Sequence, residues 1–325
     1  MRADKICAYE KGKVRLVKCQ VKTPKDNEVL VKTLFSTISP GTELAWLNHM
    51  ENTPGEYPYD PGYSCCGRIE ELGSSVSGFQ TGDLVVCNQI HCSRFTIEAE
   101  KCTKLPQGIN PREASAFRLA SISLQGIRKA EIQLGDNVAV LGLGPIGNLA
   151  AQLGFCAGAG RITGFDFVEW RRVLAERCGI TGTEENGEKE EFDSAFDVVI
   201  EATGVPQAVN TAFKMAKPLG RVVLLGSTRG NTDGVNFYRD VHRKGITVVG
   251  AHEMHRAQNE RDQFGHFRSH KRDEETIVEL LAQRRIVLDP LISENAEPEN
   301  AQNIYDRLLS KKEPLMLAAF CWGEE

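Results

Sequence analysis

The sequence predicts an α/β protein, a β-rich barrel-like unit followed by a doubly wound parallel sheet. Three observations carry that expectation. Residues 1–121 break into short β-prone runs separated by Gly, Pro and Asn, the pattern of an all-β unit. From residue 122 onward, apolar strands alternate with amphipathic helices, which implies parallel pairing through βαβ crossovers. A glycine-rich turn, Gly142-Leu143-Gly144-Pro145-Ile146-Gly147, joins the first of those strands to the helix behind it. At 325 residues the chain exceeds one ordinary core, so two domains are expected, divided as 1–121, 122–252 and a return segment 253–325.

In the first unit, strand-like runs include Val14–Val17, Val29–Val31, Cys66–Leu72 and Asp83–Cys87. Behind Val29–Phe35 comes Ser36-Thr37-Ile38-Ser39-Pro40-Gly41-Thr42-Glu43-Leu44. Pro40-Gly41 reads as a turn, and Thr42 and Glu43 as the opening of a helix over Leu44–Leu47. The second unit reads as strand Asn137–Leu141, helix Ile146–Ala157, strand Arg161–Phe165, helix Arg171–Arg177 and strand Val198–Ile200. Helix Ala208–Ala216 and strands Arg221–Leu225 and Thr247–Val249 complete it, with Glu184–Glu191 as an acidic solvated loop. Past His252 the chain turns polar, then predicts helices Glu274–Gln283 and Glu299–Leu309, the second announced by Pro298, and a last strand Leu315–Phe320.

Composition narrows the function classes. The formal net charge of −5 gives no basic face for nucleic acid, so no nucleic-acid partner is expected. No apolar run approaches the ~18 residues that span a bilayer, and no apolar segment backs the charged N-terminus, so a cytoplasmic protein without a membrane partner is expected. The 10 cysteines form no CxxC pair and sit largely inside apolar strands, which reads as reduced thiols packed as small hydrophobes.

The glycine turn has the strand–turn–helix context that dinucleotide binding requires. The first glycine makes the tight turn, the second lets backbone approach a pyrophosphate, and the third lets helix pack on strand. The helix N-terminus offers free N–H groups to the anion. Asp166, at the end of the next strand, can accept hydrogen bonds from ribose hydroxyls and would repel a 2′-phosphate, so the reading is NAD rather than NADP. Arg171 is placed to lie over the adenine.

Four stretches resemble the medium-chain dehydrogenase/reductase superfamily: Gly62-Tyr63-Ser64-Cys65-Cys66-Gly67-Arg68-Ile69, Gly82-Asp83-Leu84-Val85-Val86, Gly142 to Gly147, and Phe196 to Gly204. The resemblance runs the length of the chain and is nearest the polyol and sugar-alcohol dehydrogenases. It implies a GroES-like β-rich catalytic domain beside a Rossmann domain, and a small-molecule substrate. A homo-oligomer, dimer or tetramer, is expected. For the cofactor it adds Thr203, Gly204, Gly226 and Ser227 to Gly142, Gly144, Pro145, Ile146, Gly147, Asp166 and Arg171.

The resemblance also exposes a departure. Zinc members carry a Cys where this chain has Pro40, a Gly-His-Glu where it has Gly62-Tyr63-Ser64, and a third ligand near Ser121. None of these is a usual zinc ligand. The loop therefore resembles a zinc loop that has lost its zinc, and no metal is expected. Cys87, His91 and Cys92 do not have convincing ligand spacing either, and His91–Phe95 resembles a structural turn of the family.

Without zinc, a positioned acid or base must handle the alcohol proton. The candidates are Tyr63 and His252, then Glu43, with Thr42 matching a hydroxyl that begins a proton relay in some zinc members. The family fold implies that Tyr63 points into the vacated metal pocket and that His252 approaches from the cofactor side. Each has a plainer role: Tyr63 as filler, Glu43 or Thr42 as a helix cap, His252 as a backbone partner. His255, His266 and His270 read as surface residues, and Arg239, His242, Arg243 and Lys244 as a basic cluster that either steers an anion or faces solvent. The expected function is an NAD-dependent, zinc-independent dehydrogenase of a secondary alcohol on a polyol, sugar or cyclitol. The alternatives are a zinc-free quinone or enoyl reductase and a non-catalytic NAD sensor.

Overall fold

The computed structural model describes residues 1–253 and 269–323. The chain forms two compact units, Met1–Arg118 with Glu274–Glu325, and Leu119–Asp273, against the expected divisions after residues 121 and 252. In chain order the first unit contributes β1 (Arg2–Glu10), β2 (Lys13–Gln20), β3 (Glu28–Thr37), helix α1 (Pro40–Leu47), β4 (Cys65–Leu72), β5 (Leu84–Cys87), β6 (Arg94–Glu98), β7 (Cys102–Lys104) and α2 (Pro111–Ala114). Helix α3 (Phe117–Ala130) begins as the first unit ends.

The second unit continues with β8 (Asn137–Leu141), α4 (Pro145–Ala157), β9 (Arg161–Phe165), α5 (Glu169–Arg177), β10 (Gly182–Glu184), β11 (Phe196–Glu201), α6 (Pro206–Met215), β12 (Ala216–Leu224) and β13 (Thr247–Gly250). After α7 (His270–Ala282) the chain adds β14 (Ile292–Ala296), α8 (Ala301–Ser310) and β15 (Leu317–Cys321) to the first unit.

The first unit pairs β1 with β2 as an antiparallel hairpin and builds a larger sheet in the order β14-β15-β3-β4-β5-β7, with β6 also on β3. Strand β3 meets β4, β6 and β15, so most of Glu28–Thr37 is buried, its apolar Val29, Leu30, Val31 and Leu34 together with the polar Thr33, Ser36 and Thr37. One core joins Ile6, Ile38, Leu44 and Leu47 to Ile304, Tyr305, Leu308 and Phe320 from the C-terminal segment. A second joins Val29, Val31, Ile69 and Val85 with Cys65, Cys87, Cys92 and Cys102. All 10 cysteines are free thiols, and those in this core pack as small hydrophobes.

The second unit is a six-stranded sheet in the order β10-β9-β8-β11-β12-β13, parallel throughout. Numbered within the unit this is the doubly wound order whose crevice opens where β8 and β11 part company. The loops after β8 and β11 leave at that point.

The helix α1 begins earlier than the sequence suggested. Pro40-Gly41 is not a separate turn, because Pro40 opens the helix and Ser39 is the N-cap. Proline suits that first position, where its missing N–H has no helical partner to lose. Thr42 therefore sits in the first turn rather than at the cap. Strand β10, three polar residues pairing with Thr163–Phe165 at the sheet edge, falls partly within the stretch read as a loop. His255 and His266 lie outside the described residues, and His270 opens α7. No helix among the described residues is long and apolar enough to cross a membrane.

Candidate active site

In the second unit the glycine turn joins β8 to α4. A Cβ on Gly147 would lie 1.8 Å from the carbonyl oxygen of Gly142, so only glycine allows α4 to seat against the end of β8. Gly142 itself has φ +87°, a left-handed conformation that glycine adopts without strain. Gly144 differs: a Cβ there would meet no atom within 4 Å, so the backbone faces open space at the head of α4. Gly144 is the N-cap and offers no side-chain cap, and Pro145 follows it. The first-turn N–H groups of Ile146 and Gly147 have no carbonyl to meet inside the helix. An open approach, free donors and the positive end of the helix dipole together fit a pyrophosphate.

Asp166 is buried at the end of β9. Its Oδ2 accepts from Leu143 N at 2.8 Å and its Oδ1 from Val168 N at 2.9 Å. These bonds tie it to the phosphate turn and leave acceptor capacity for ribose hydroxyls, since a carboxylate has about four lone-pair sites. Arg171 reaches Oδ2 at 3.5 Å and lies over the Trp170 ring, while Arg172 donates to the Asp166 carbonyl at 2.6 Å.

Beside the turn, Glu201 at the end of β11 is fully buried. Its Oε1 accepts from Thr203 N at 2.7 Å, from the Thr203 hydroxyl and from Gly204 N at 3.2 Å. Burial outweighs these donors and pushes the Glu201 carboxyl above its ordinary value. Gly204 in turn lies against Ser227, where a Cβ would come within 2.8 Å of the carbonyl oxygen, and Gly226 packs on Gly204 N. The expected cofactor residues Thr203, Gly204, Gly226 and Ser227 thus line adjoining strand ends of one sheet. His252 follows β13; its side chain is exposed and its carbonyl accepts from Gln125 Nε2 at 2.9 Å.

Arg239, His242 and Arg243 of the basic cluster are exposed to solvent, and Lys244 is half-buried. Arg239 pairs with Asp240, Lys244 donates to the carbonyls of Phe213 and Lys214 at 2.8 and 3.0 Å, and His242 stacks on Tyr238.

In the first unit the segment Ser36–Leu44 contributes Ser36, Ser39 and Glu43 to a buried polar network. Glu43 is only 4% exposed. Its Oε1 accepts from Ser39 N at 2.7 Å, so it caps its own helix from the first turn. Its Oε2 accepts from the Tyr305 hydroxyl and lies 3.0 Å from His91 Nε2. His91, also fully buried, binds Ser36 Oγ through Nδ1 at 2.8 Å, and Trp322 Nε1 donates to the same oxygen at 2.8 Å. Tyr63, half-buried, donates its hydroxyl to Ser39 Oγ. Burial and the Glu43 carboxylate push the phenols of Tyr305 and Tyr59 up, which keeps both protonated.

The residues expected to match zinc-ligand positions are placed as follows. Pro40 has no donor atom and starts α1; the hydroxyl of Ser64 donates to the carbonyl of Ser115 at 2.6 Å; Ser121 is buried within α3. Among the described residues no group of three His, Cys, Asp or Glu is placed to hold a metal. The sequence named Glu43 and Tyr63 as separate candidates and His91 as part of a structural turn, but gave no sign of Ser36, Ser39, Tyr305 and Trp322 as their partners. A signal for His91 existed: a lone histidine between Ile90 and Cys92 in an apolar context must find buried partners for both nitrogens.

A doubly wound unit with an open phosphate turn and a carboxylate at the next strand end fits dinucleotide binding, here joined to a β-rich unit that buries a polar network beside its apolar cores. Residues 25–135 match the alcohol dehydrogenase GroES-like domain family and residues 145–267 the zinc-binding dehydrogenase family. D-guloside 3-dehydrogenase of Escherichia coli (strain K12) is 30% identical over 257 residues, covering 74% of this chain and 72% of its own. L-threonine 3-dehydrogenase of Pyrococcus furiosus is 28% identical over 298 residues, covering 78% and 84%. Among solved structures, a putative zinc-binding dehydrogenase of Sinorhizobium meliloti 1021 bound to NADP has a TM-score of 0.80 at 21% identity over 99% of both chains. A structure described as a short chain alcohol dehydrogenase of E. coli CFT073, complexed with NADH, has a TM-score of 0.83 at 16% identity over 98% of this chain and 99% of its own. The chain belongs to the medium-chain dehydrogenase/reductase superfamily and is an oxidoreductase acting on alcohol groups.

Proposed function

We propose that the protein is an NAD-dependent, zinc-independent dehydrogenase that interconverts a secondary alcohol of a polyol, sugar or cyclitol with its ketone. The observation that carries this reading is the chemistry of the ligand positions. Zinc sites take thiolate, imidazole or carboxylate, and Pro40, Tyr63 and Ser121 supply none of these. The imidazole of His91 and the carboxylate of Glu43, in the same unit, are committed to each other in the core.

When bound, the nicotinamide accepts the hydride from the carbinol carbon. The hydroxyl proton is then left to the protein. Tyr63 is one candidate: its hydroxyl donates to Ser39 Oγ, and it takes the substrate proton only as the phenolate, its own proton having first gone to solvent. His252 in the second unit is the other candidate. Glu43, being buried, acts through Ser39 rather than on substrate. The turn at Gly142–Gly147 would hold the pyrophosphate and Asp166 the adenosine ribose, which favours NAD.

The support for a polyol or sugar rests on the guloside-oxidising relative. The test is turnover with a panel of polyols, sugars and cyclitols, with NAD⁺ and NADP⁺ in parallel, followed by the absorbance of the reduced nicotinamide. Oxidation of one class with NAD⁺ supports the reading. Tight NAD binding without turnover of any alcohol in the panel would favour a sensor of the dinucleotide.

A further inference from the structure

We propose that Cys87 and Cys102 are a site of reversible oxidation and join as a disulfide when the protein meets a peroxide. The inference stands apart from the dehydrogenase reading and from how the alcohol proton is handled.

Cys87 ends β5 and Cys102 begins β7, and the two stand opposite each other across an antiparallel ladder. The register sets their geometry. Leu105 N donates to the Leu84 carbonyl at 2.9 Å, which makes residues 84 and 105 a hydrogen-bonded pair. Alternation along the ladder makes Val86 and Thr103 the next such pair and puts Cys87 and Cys102 at a non-hydrogen-bonded position, where side chains approach most closely. Opposed α-carbons at such a position lie about 4.5 Å apart, within the ~4.4–6.8 Å that a disulfide spans. The two sulfurs are 3.4 Å apart.

Cys87 has a second cysteine neighbour, Cys65 on β4. Ile69 N donates to the Asp83 carbonyl at 3.0 Å, and the same count makes Cys65 and Cys87 a hydrogen-bonded pair, whose side chains stand further apart. The Cys65 sulfur turns instead to the Cys87 carbonyl, at 3.4 Å. The backbone thus selects Cys102 as the partner. Glu274 of α7 holds that register: it accepts from Asn88 Nδ2 at 2.7 Å and from the Thr103 hydroxyl at 3.3 Å, the residues next to each cysteine.

Both thiols are fully buried. Contact with Cys102 favours the Cys87 thiolate, but Cys65 and burial outweigh it and hold the thiol well above its ordinary value. Since the thiolate is the nucleophile, the closed core reacts slowly, and reaction waits on a local opening. Strand β7 provides one, being three residues long at the edge of its sheet. Once open, one thiolate attacks a peroxide oxygen, the O–O bond breaks, and a sulfenic acid and hydroxide form. The other sulfur then displaces hydroxide from the sulfenic sulfur as the S–S bond forms. The two thiols give up two electrons and two protons, and the peroxide leaves as two waters. The bond closes a loop of about 15 residues that contains His91 and β6, a length at which cross-linking restricts the unfolded chain appreciably.

The test uses the reduced full-length protein, exposed to hydrogen peroxide under folding conditions. Remaining thiols are alkylated in denaturant and the digest is mapped by mass. A linked peptide pairing Cys87 with Cys102, lighter by two hydrogens and released by dithiothreitol, is expected. It should persist in Cys65→Ala, and Cys87 should form no bridge in Cys102→Ala. The urea midpoint of the first unit, read from Trp46 and Trp322 in a Trp170→Phe background, should rise by roughly 0.5–1.5 M on oxidation and return on reduction. The proposal is overturned if both cysteines are still alkylated after the exposed thiols have oxidised, or if Cys87 bridges to Cys65. It is equally overturned if the bridge forms only in urea above the unfolding midpoint, or if the oxidised midpoint falls. Should a cysteine variant not fold, the wild-type peptide map decides alone.

Discussion

Tyr305→Phe removes one hydrogen bond from the buried network and little else. The ring is only 1% exposed and packs near Phe320 with centroids 6.5 Å apart, so the apolar contacts survive the substitution. What is lost is the hydroxyl donor to Glu43, made across 262 residues of sequence. Ser39 N at 2.7 Å and His91 Nε2 at 3.0 Å remain, so the carboxylate keeps two of its three partners. A hydrogen bond to a charged group contributes about 1.5–3 kcal/mol, and the two surviving partners place the expected cost near 2 kcal/mol. With a urea dependence of about 2 kcal/mol per M, the unfolding midpoint of the first unit should fall by about 1 M. The two units can melt separately, so the probe must be local. Trp46 and Trp322 belong to the first unit and Trp170 to the second, so fluorescence in a Trp170→Phe background isolates the right transition. Combining Tyr305→Phe with Glu43→Gln should show a coupling of about 0.5–3 kcal/mol, because the residues touch. An unmoved midpoint, or strict additivity of the two changes, would refute the network.

Three further outcomes are expected. Asp166→Asn should erode discrimination between NAD and NADP by about tenfold to a hundredfold, the worth of one charge-assisted bond, as read by calorimetric titration with each dinucleotide; a wild type that prefers NADP would show the assignment to be wrong. Gly144→Ala should lower the melting temperature only slightly, since a Cβ there meets nothing within 4 Å, yet should weaken dinucleotide binding; equal affinity would move the pyrophosphate elsewhere. Tyr63→Phe should lower kcat by ~10²–10⁴ with NAD affinity intact, and if it and His252→Ala both retain kcat the proton is handled by another group.

Regular elements of the second unit were legible because their signals are local. Asn137–Leu141 and Arg161–Phe165 are short apolar runs bounded by turn residues, and both strands span those residues. Strand β10 lacked such a signal: Gly182-Thr183-Glu184 is polar, and only its parallel partner makes it a strand. The helix opening at Pro40 was misread because Pro-Gly marks turns in most contexts, whereas an N-cap serine ahead of it allows a helix. The phosphate turn was visible, since motif, strand and helix are contiguous. The Glu43 network was not, because its members stand at residues 36, 39, 43, 63, 91, 305 and 322, and no window of sequence contains more than a few of them. A capping role for Glu43 was foreseeable from its place in a first turn; its bonds to Tyr305 and His91 depend on the C-terminal segment joining the first unit.

The central claim is alcohol oxidation without zinc, and metal content measured together with activity tests it most directly. Protein purified from zinc-supplemented medium should be analysed for metals, dialysed exhaustively against chelator, and assayed with NAD⁺ and its alcohol before and after. Substoichiometric zinc and unchanged kcat after chelation are predicted. Stoichiometric zinc that chelator removes with loss of activity, and that added zinc restores, would contradict the account.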